Sequence, residues 1–267
     1  ENYIIKTLEI ENIQQSEIEN TKKILFKTQD GQFIESVSMI DKNLHTVCIS
    51  SQVGCSVDCK FCATGMMGFS RNLSCGEIID QIIEITSIRE EPITNVVYMG
   101  MGEPFLNYRE VIKSADILHD PHGMNLGNKR ITISTSGILP KIKQFIEEIK
   151  KEFNLTNNQI CLSGFSQGCM MSLNVGLTSE EKFLCIVGFS GKIIDQNNLK
   201  ERIKNSTDTL LIHGDVDQIV PSTHLLEAKD FLIRNSIEVE TLLIKNCDHH
   251  IPIEALSTAL NYILKKI

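Results

Sequence analysis

Over residues 21–40, TKKILFKTQDGQFIESVSMI, apolar and polar positions alternate with a period near two on either side of the turn signal QDGQ, which predicts a β-hairpin. A further strand follows in HTVCISSQ, and then a long glycine-bearing loop from Val53 to Arg71. From there the period changes. Apolar positions recur every three or four residues from Ser74 to about Ile88, behind a Ser74-x-x-Glu77 start that reads as a capping box, so a helix is expected. Strand and helix then alternate through TNVVYMG, YREVIKSADIL, KRITIST and the amphipathic stretch KIKQFIEEIKKEF at 141–153, which sets Ile142, Phe145, Ile146 and Ile149 on one stripe. The alternation continues with QICLSGF, a helix from Gly168 to Leu177, KFLCIVGFS, TLLIHGD, THLLEAKDFLIRN, VETLLIKN and a closing helix IEALSTALNYILKKI. This is the pattern of parallel strands with crossover helices, an α/β class from about residue 45 onward. No internal repeat and no Pro- or Gly-rich linker interrupts it.

A length of 267 residues allows one large α/β domain or two small ones. The 42% hydrophobic and 22% charged residues are those of a globular chain able to bury a sizeable core. No apolar run approaches the roughly 20 residues a membrane span needs, and the polar start ENYIIKTLEIEN lacks the layout of a signal peptide. A cytoplasmic protein without a membrane span is expected, and the first residue, not being Met, suggests a start inside a longer parent. Net charge is −8, with 18 acidic and 14 basic residues up to Lys143 and the same imbalance beyond it. Neither half is basic, which argues against tight nucleic-acid binding, because Lys and Arg supply most of that affinity. Nine cysteines, an odd number, favour reduced thiols or a metal site over a disulfide framework.

Cys55, Cys59 and Cys62 form CxxxCxxC in GCSVDCKFCATG. Three thiolates from one short loop suit a cubane cluster with one iron left open to a small-molecule ligand, where a closed site would use four cysteines. This loop, together with SSQVGCSVDCKFCATGMMGFSRNL, VVYMGMGEPFLNY and KRITISTSGILP, resembles the radical S-adenosylmethionine superfamily, and within it the adenine-C2 methyltransferases that modify 23S ribosomal RNA and certain tRNAs. The resemblance runs from about Thr21 to Ile142. It implies a [4Fe-4S] cluster on Cys55, Cys59 and Cys62, with S-adenosylmethionine chelating the open iron. It further implies cofactor contacts from Gly102, Glu103 and Ser134, with Glu103 suited to a cationic amino group. Glu35 falls where the family has its proposed proton acceptor. That family also has later strands, a methyl-carrying cysteine near its end and an N-terminal RNA-binding region, none of which is recognisable here. Cys161, Cys169, Cys185 and Cys247 stand in a different context and are read as core cysteines.

Residues 160–168, ICLSGFSQG, place GxSxG between an apolar strand and a helix, the elbow that exposes a serine for activation by a histidine. An Asp in LLIHGDVDQIVP and a His in NCDHHIPIE follow in the order Ser, Asp, His. From about Phe145 to the end these stretches resemble the carboxylesterase and acyl-protein thioesterase family of α/β hydrolases. By position Ser166 is the expected nucleophile, Asp217 the orienting acid and His249 the general base, with Asp215 and His250 as neighbouring alternatives. His213 reads as a structural residue of the HGD turn. The resemblance implies a small ester or thioester substrate and no cofactor for this half. The backbone of Gln167 would give one oxyanion donor; the Gly-rich loop that supplies the second in the family has no counterpart.

The 141–153 helix thus joins the front of one enzyme to the back of another. The expected fold is α/β: a partial radical-SAM (β/α) barrel half over 1–145, joined to the C-terminal half of an α/β-hydrolase sheet over 146–267. Alternatively, the unbroken alternation lets the two merge into one mainly parallel sheet. Three functions follow: serine hydrolysis, radical methylation of rRNA and tRNA, or a hybrid in which neither site works.

Overall fold

A computed structural model describes residues 6–59 and 62–267, so Lys60 and Phe61 of the CxxxCxxC loop lie outside the described residues. The chain divides into two compact units, 1–136 and 137–267, ahead of the boundary read from the sequence.

The first unit is built on a sheet ordered β1-β2-β3-β4-β7-β8. Strands β1 (Leu8–Gln15), β2 (Thr21–Thr28), β3 (Phe33–Asp41) and β4 (Leu44–Cys48) form an antiparallel meander. β7 (Asn95–Tyr98) and β8 (Ile131–Ile133) then add in parallel, because α2 (Cys75–Ser87) and α3 (Tyr108–His119) make the crossovers. α2 starts as predicted: the Ser74 hydroxyl accepts from the Glu77 N–H, and the Glu77 carboxylate accepts from the Ser74 N–H. The alternation in β2 and β3 sends Ile24, Phe26 and Ile34 into a core shared with Val47, Val96, Ile78 and Ile82. Burying each such aliphatic side chain contributes about 1.5–3 kcal/mol. A small hairpin of β5 (Gln52–Gly54) and β6 (Phe69–Asn72), with the one-turn helix α1 (Ala63–Met66) between them, carries the cysteine loop.

The second unit opens with α4 (Leu139–Phe153), which contains the seam helix. Its sheet is ordered β12-β11-β10-β9, all parallel, from β9 (Cys161–Phe165), β10 (Cys185–Phe189), β11 (Thr209–Gly214) and β12 (Val239–Ile244). The crossovers include α5 (Gln167–Thr178), α6 (Gln196–Arg202) and α7 (Thr223–Arg234), and α8 (Ile253–Leu264) closes the unit. Every residue of β10 and β11 is buried, so their sequences run apolar without the polar alternation of a half-exposed strand. The pleat still sorts them: Ile186 and Leu211 face α5 and α7, while Val187, Leu210 and Ile212 face α8.

Among the described residues the strands of the two units pair into separate sheets, not the single mainly parallel sheet that the alternation also allowed. Among the described residues β8 is an edge of the six-stranded sheet and β9 an edge of the four-stranded one, and each unit fills hydrophobic cores of its own. Among the described residues, no helix is long and apolar enough to cross a membrane.

Candidate functional site

At the end of β9 the chain turns sharply into α5, and Ser166 sits in that turn with φ +55 and ψ −116. A non-glycine residue in this region is strained, and the surrounding contacts hold it there. The Ser166 N–H donates to the Phe189 carbonyl at 2.8 Å. Gly164 lets the strand pass the helix, since a Cβ there would lie 2.1 Å from the Gly168 carbonyl carbon. Asp217 follows β11 and His249 follows β12, so all three residues stand beyond the carboxyl ends of parallel strands, where α/β sheets place their sites.

The three side chains form a hydrogen-bonded row. His249 Nδ1 lies 2.7 Å from Asp217 Oδ2, and His249 Nε2 lies 3.0 Å from Ser166 Oγ. A carboxylate only accepts, so Nδ1 carries the proton and Nε2 is left to accept from the serine hydroxyl. The Phe165 ring packs on the imidazole with centroids 4.7 Å apart. Asp217 is buried, and its other oxygen accepts from the N–H groups of Ile219 and Val220 at 2.9 and 2.8 Å. Burial pushes this carboxyl up, but the His249 hydrogen bond and the two backbone donors outweigh it and hold it below the ordinary carboxylate value. His213 Nε2 donates to the Val220 carbonyl at 2.7 Å, which fixes the turn carrying Asp217. Neither alternative joins the row: exposed His250 pairs with Asp248, and the buried Asp215 Oδ1 has no hydrogen-bond partner among the described residues. Gln167, the expected oxyanion donor, is the first residue of α5.

In the first unit Cys55, Cys59 and Cys62 lie on the loop between β5 and β6. The Cys55 N–H donates to the Gly68 carbonyl, and the Cys62 N–H to the Cys59 carbonyl. Gly54, at φ +73, allows this closure, because a Cβ there would meet the Gly68 oxygen at 1.9 Å. The Gly65 backbone N–H lowers the Cys62 thiol from its ordinary value, while burial raises Cys55. Three thiols are the right donor chemistry for a cluster. Among the described residues, however, no three Cys, His, Asp or Glu side chains converge to hold a metal ion.

Gly102 has φ +101 and packs where a Cβ would meet Gln52 at 2.5 Å, so only glycine serves there. Buried Glu103 is committed to its own chain: its carboxylate accepts from Thr135 Oγ1 and the Ser136 N–H at 2.7 Å each, and from the Phe105 N–H at 2.9 Å. Ser134 is exposed just past β8 and is not among those donors. Glu35, on β3, forms an ion pair with Lys23 at 3.0 Å, and its carbonyl accepts from Ser50 Oγ. Gln52, Asn107 and Thr135 were not singled out by sequence, although all three sit inside the motif stretches. Gln52 accepts from the Glu103 N–H, and the Asn107 amide donates to the carbonyls of Ser51 and Leu73.

Comparison with known proteins finds two families in one chain. The radical SAM superfamily matches residues 49–162, and phospholipase/carboxylesterase matches residues 125–267, so the two ranges overlap across α4. The "Probable dual-specificity RNA methyltransferase RlmN" of Dictyoglomus turgidum is 50% identical over 149 residues, covering 53% of this chain and 43% of that protein. Its namesake in Thermotoga maritima is 36% identical over 271 residues, covering 93% and 79%. The chain thus spans less than half of the first of these relatives. Among solved structures, a radical SAM methyltransferase from Sphaerobacter thermophilus is 30% identical with TM-score 0.53, covering 89% of this chain and 77% of that one. Esterase PE8 is 31% identical with TM-score 0.47, covering 48% and 60%. Radical SAM membership implies S-adenosylmethionine and a [4Fe-4S] cluster. The chain belongs to the radical SAM superfamily through its first half and to the phospholipase/carboxylesterase family through its second.

Proposed function

We propose that the chain is a serine hydrolase of small carboxylic esters or acyl thioesters. One observation carries this reading: Ser166 Oγ stands 3.0 Å from His249 Nε2, whose other nitrogen stands 2.7 Å from buried Asp217. Ser166 Oγ attacks the acyl carbon while Nε2 takes its proton; the imidazolium, steadied by Asp217, then protonates the departing alcohol or thiol. Water, activated by the same nitrogen, releases the acid. With the second oxyanion loop unrecognised, turnover is expected to be slow, since one missing donor costs about 2.7–4 kcal/mol of transition-state stabilisation. All nine cysteines are unpaired among the described residues, which suits a reducing compartment such as the cytoplasm. A fluorophosphonate probe tests the reading: the parent should be labelled on Ser166 and Ser166→Ala should not. Equal labelling of the two removes the proposal.

The second reading is adenine-C2 methylation of ribosomal and transfer RNA, favoured by the three thiols of one loop and by the names of the relatives. Anaerobic reconstitution with iron and sulfide tests it. A brown protein that cleaves S-adenosylmethionine on reduction supports it, and a colourless one ends it.

A further inference from the structure

We propose that α8 carries a self-association surface whose partner is a second copy of this chain, packed antiparallel across a two-fold axis at Leu260. The helix is apolar on two faces. One is spent on the fold, with Ala255, Ala259 and Tyr262 buried against β10–β12. The other points outward: Ile253 is 82% exposed, Leu256 52%, Leu260 57% and Leu264 58%, and Ile267, just past the helix, 87%. A solvated helix face normally carries charge, and a contiguous apolar row there marks a docking surface.

The spacing of this row identifies the partner. The steps are 3, 4, 4 and 3 residues, a sequence that reads the same in both directions about Leu260. Reversing the helix lays Leu256 on Leu264 and Leu260 on itself, and brings Ile253 to the end beyond which Ile267 follows the helix. A two-fold axis perpendicular to the helix performs this reversal, and an isologous contact requires a surface complementary to itself. Charge obeys the same symmetry. Exposed Glu254 lies at the start of the row and exposed Lys265 at its end, with uncharged Ser257 and Asn261 beside the centre. Antiparallel copies bring Glu254 of one to the level of Lys266 of the other, one residue from exposed Lys265, and oppose the two helix dipoles, whereas parallel copies would align like charges. A single helix pair is small beside the roughly 1,200 Å² of a standard interface, so the dimer is weak and concentration-dependent.

Sedimentation velocity on the full chain, over a concentration series reaching the submillimolar range, tests this. The 30.0 kDa monomer should give way to a species of twice that mass. Leu260→Lys, which sets two cations on the axis, should stay monomeric at every concentration with an unchanged far-UV circular dichroism spectrum. Cysteine variants report the geometry. Leu260→Cys should link to itself under mild oxidation, while Leu256→Cys should link only when mixed with Leu264→Cys, as read by peptide mapping. The proposal fails if the parent stays monomeric throughout, if Leu260→Lys dimerises as tightly as the parent, or if Leu256→Cys links to itself as parallel helices would. A monomer that instead co-sediments with phosphatidylcholine vesicles assigns the face to a lipid surface and overturns it as well.

Discussion

Ser166 is held in a conformation it would not choose, and two glycines near it differ in what they contribute. Gly164 has no room for a side chain, since a Cβ would overlap the Gly168 backbone, whereas a Cβ on Gly168 meets nothing within 4 Å. Gly164→Ala is therefore expected to disrupt the elbow and cost several kcal/mol, within the tail of severe single substitutions. Gly168→Ala, in the first turn of α5, should be neutral or stabilising by up to about 1 kcal/mol. Urea melts of both variants check the contrast. Asp217→Asn keeps the size of the side chain but removes the acceptor that orients His249, and an expected drop on the order of 10⁴-fold in probe labelling follows by analogy with the serine-protease acid. The same change has a signature in pH. A carboxyl held below its ordinary value stabilises the fold fully above the unfolded pKa of about 4, and loses that contribution as pH falls further through the folded value. The asparagine variant should therefore show a flatter melting temperature against pH below about pH 4. GxSxG, HGD and NCDHH each run off the end of a strand, which is why Ser166, Asp217 and His249 were expected by position, with Asp215 and His250 as neighbouring alternatives. Adjacent residues differ only in where the loop aims them, and it is His249 that lies within hydrogen-bond distance of both Ser166 and Asp217.

Regular elements were legible where burial imposed a period. The capping box of α2 was visible as Ser74-x-x-Glu77, and it gives a graded prediction. Ser74→Ala should destabilise the first unit by about 1 kcal/mol. Glu77→Ala should cost more, because Glu77 also accepts from Arg71 at 2.7 Å and its removal leaves that guanidinium with Asp30 as its carboxylate partner. Chemical denaturation of the two variants side by side checks the order, and an equal or reversed cost contradicts it. Other elements carried no such period. β1 buries only Leu8 fully, so LEIENIQQ shows too little alternation to read as a strand. β5 and β6 are three and four residues long, and α6 is a seven-residue helix burying only Leu199. The joining of the two sheets was illegible for another reason: strand-helix alternation specifies crossovers within a sheet but not where one sheet stops, and only the pairing of β8 and β9 decides that.

At the scale of the whole chain, the two chemistries draw on separate residues. The groups that hold Ser166, Asp217 and His249, namely Phe165, Phe189, Ile219 and Val220, all lie within 137–267. The groups that shape the cysteine loop, Gly54, Gly65 and Gly68, all lie within 1–136, as do the Thr135 and Ser136 donors to Glu103. Each of these hydrogen bonds joins residues of one unit. Replacing Cys55, Cys59 and Cys62 together by Ala in the full chain should therefore leave fluorophosphonate labelling of Ser166 at the parent rate. The substitutions remove partly exposed thiols and leave the backbone bonds of Cys55 and Cys62 in place, so a preserved circular dichroism spectrum is expected alongside. The reciprocal variant, Ser166→Ala, should take up iron and sulfide to the same extent as the parent, whatever that extent is. Loss of labelling in a folded triple variant would mean that the hydrolase site needs the first unit for more than its fold, and the independence argued from these hydrogen bonds would be wrong.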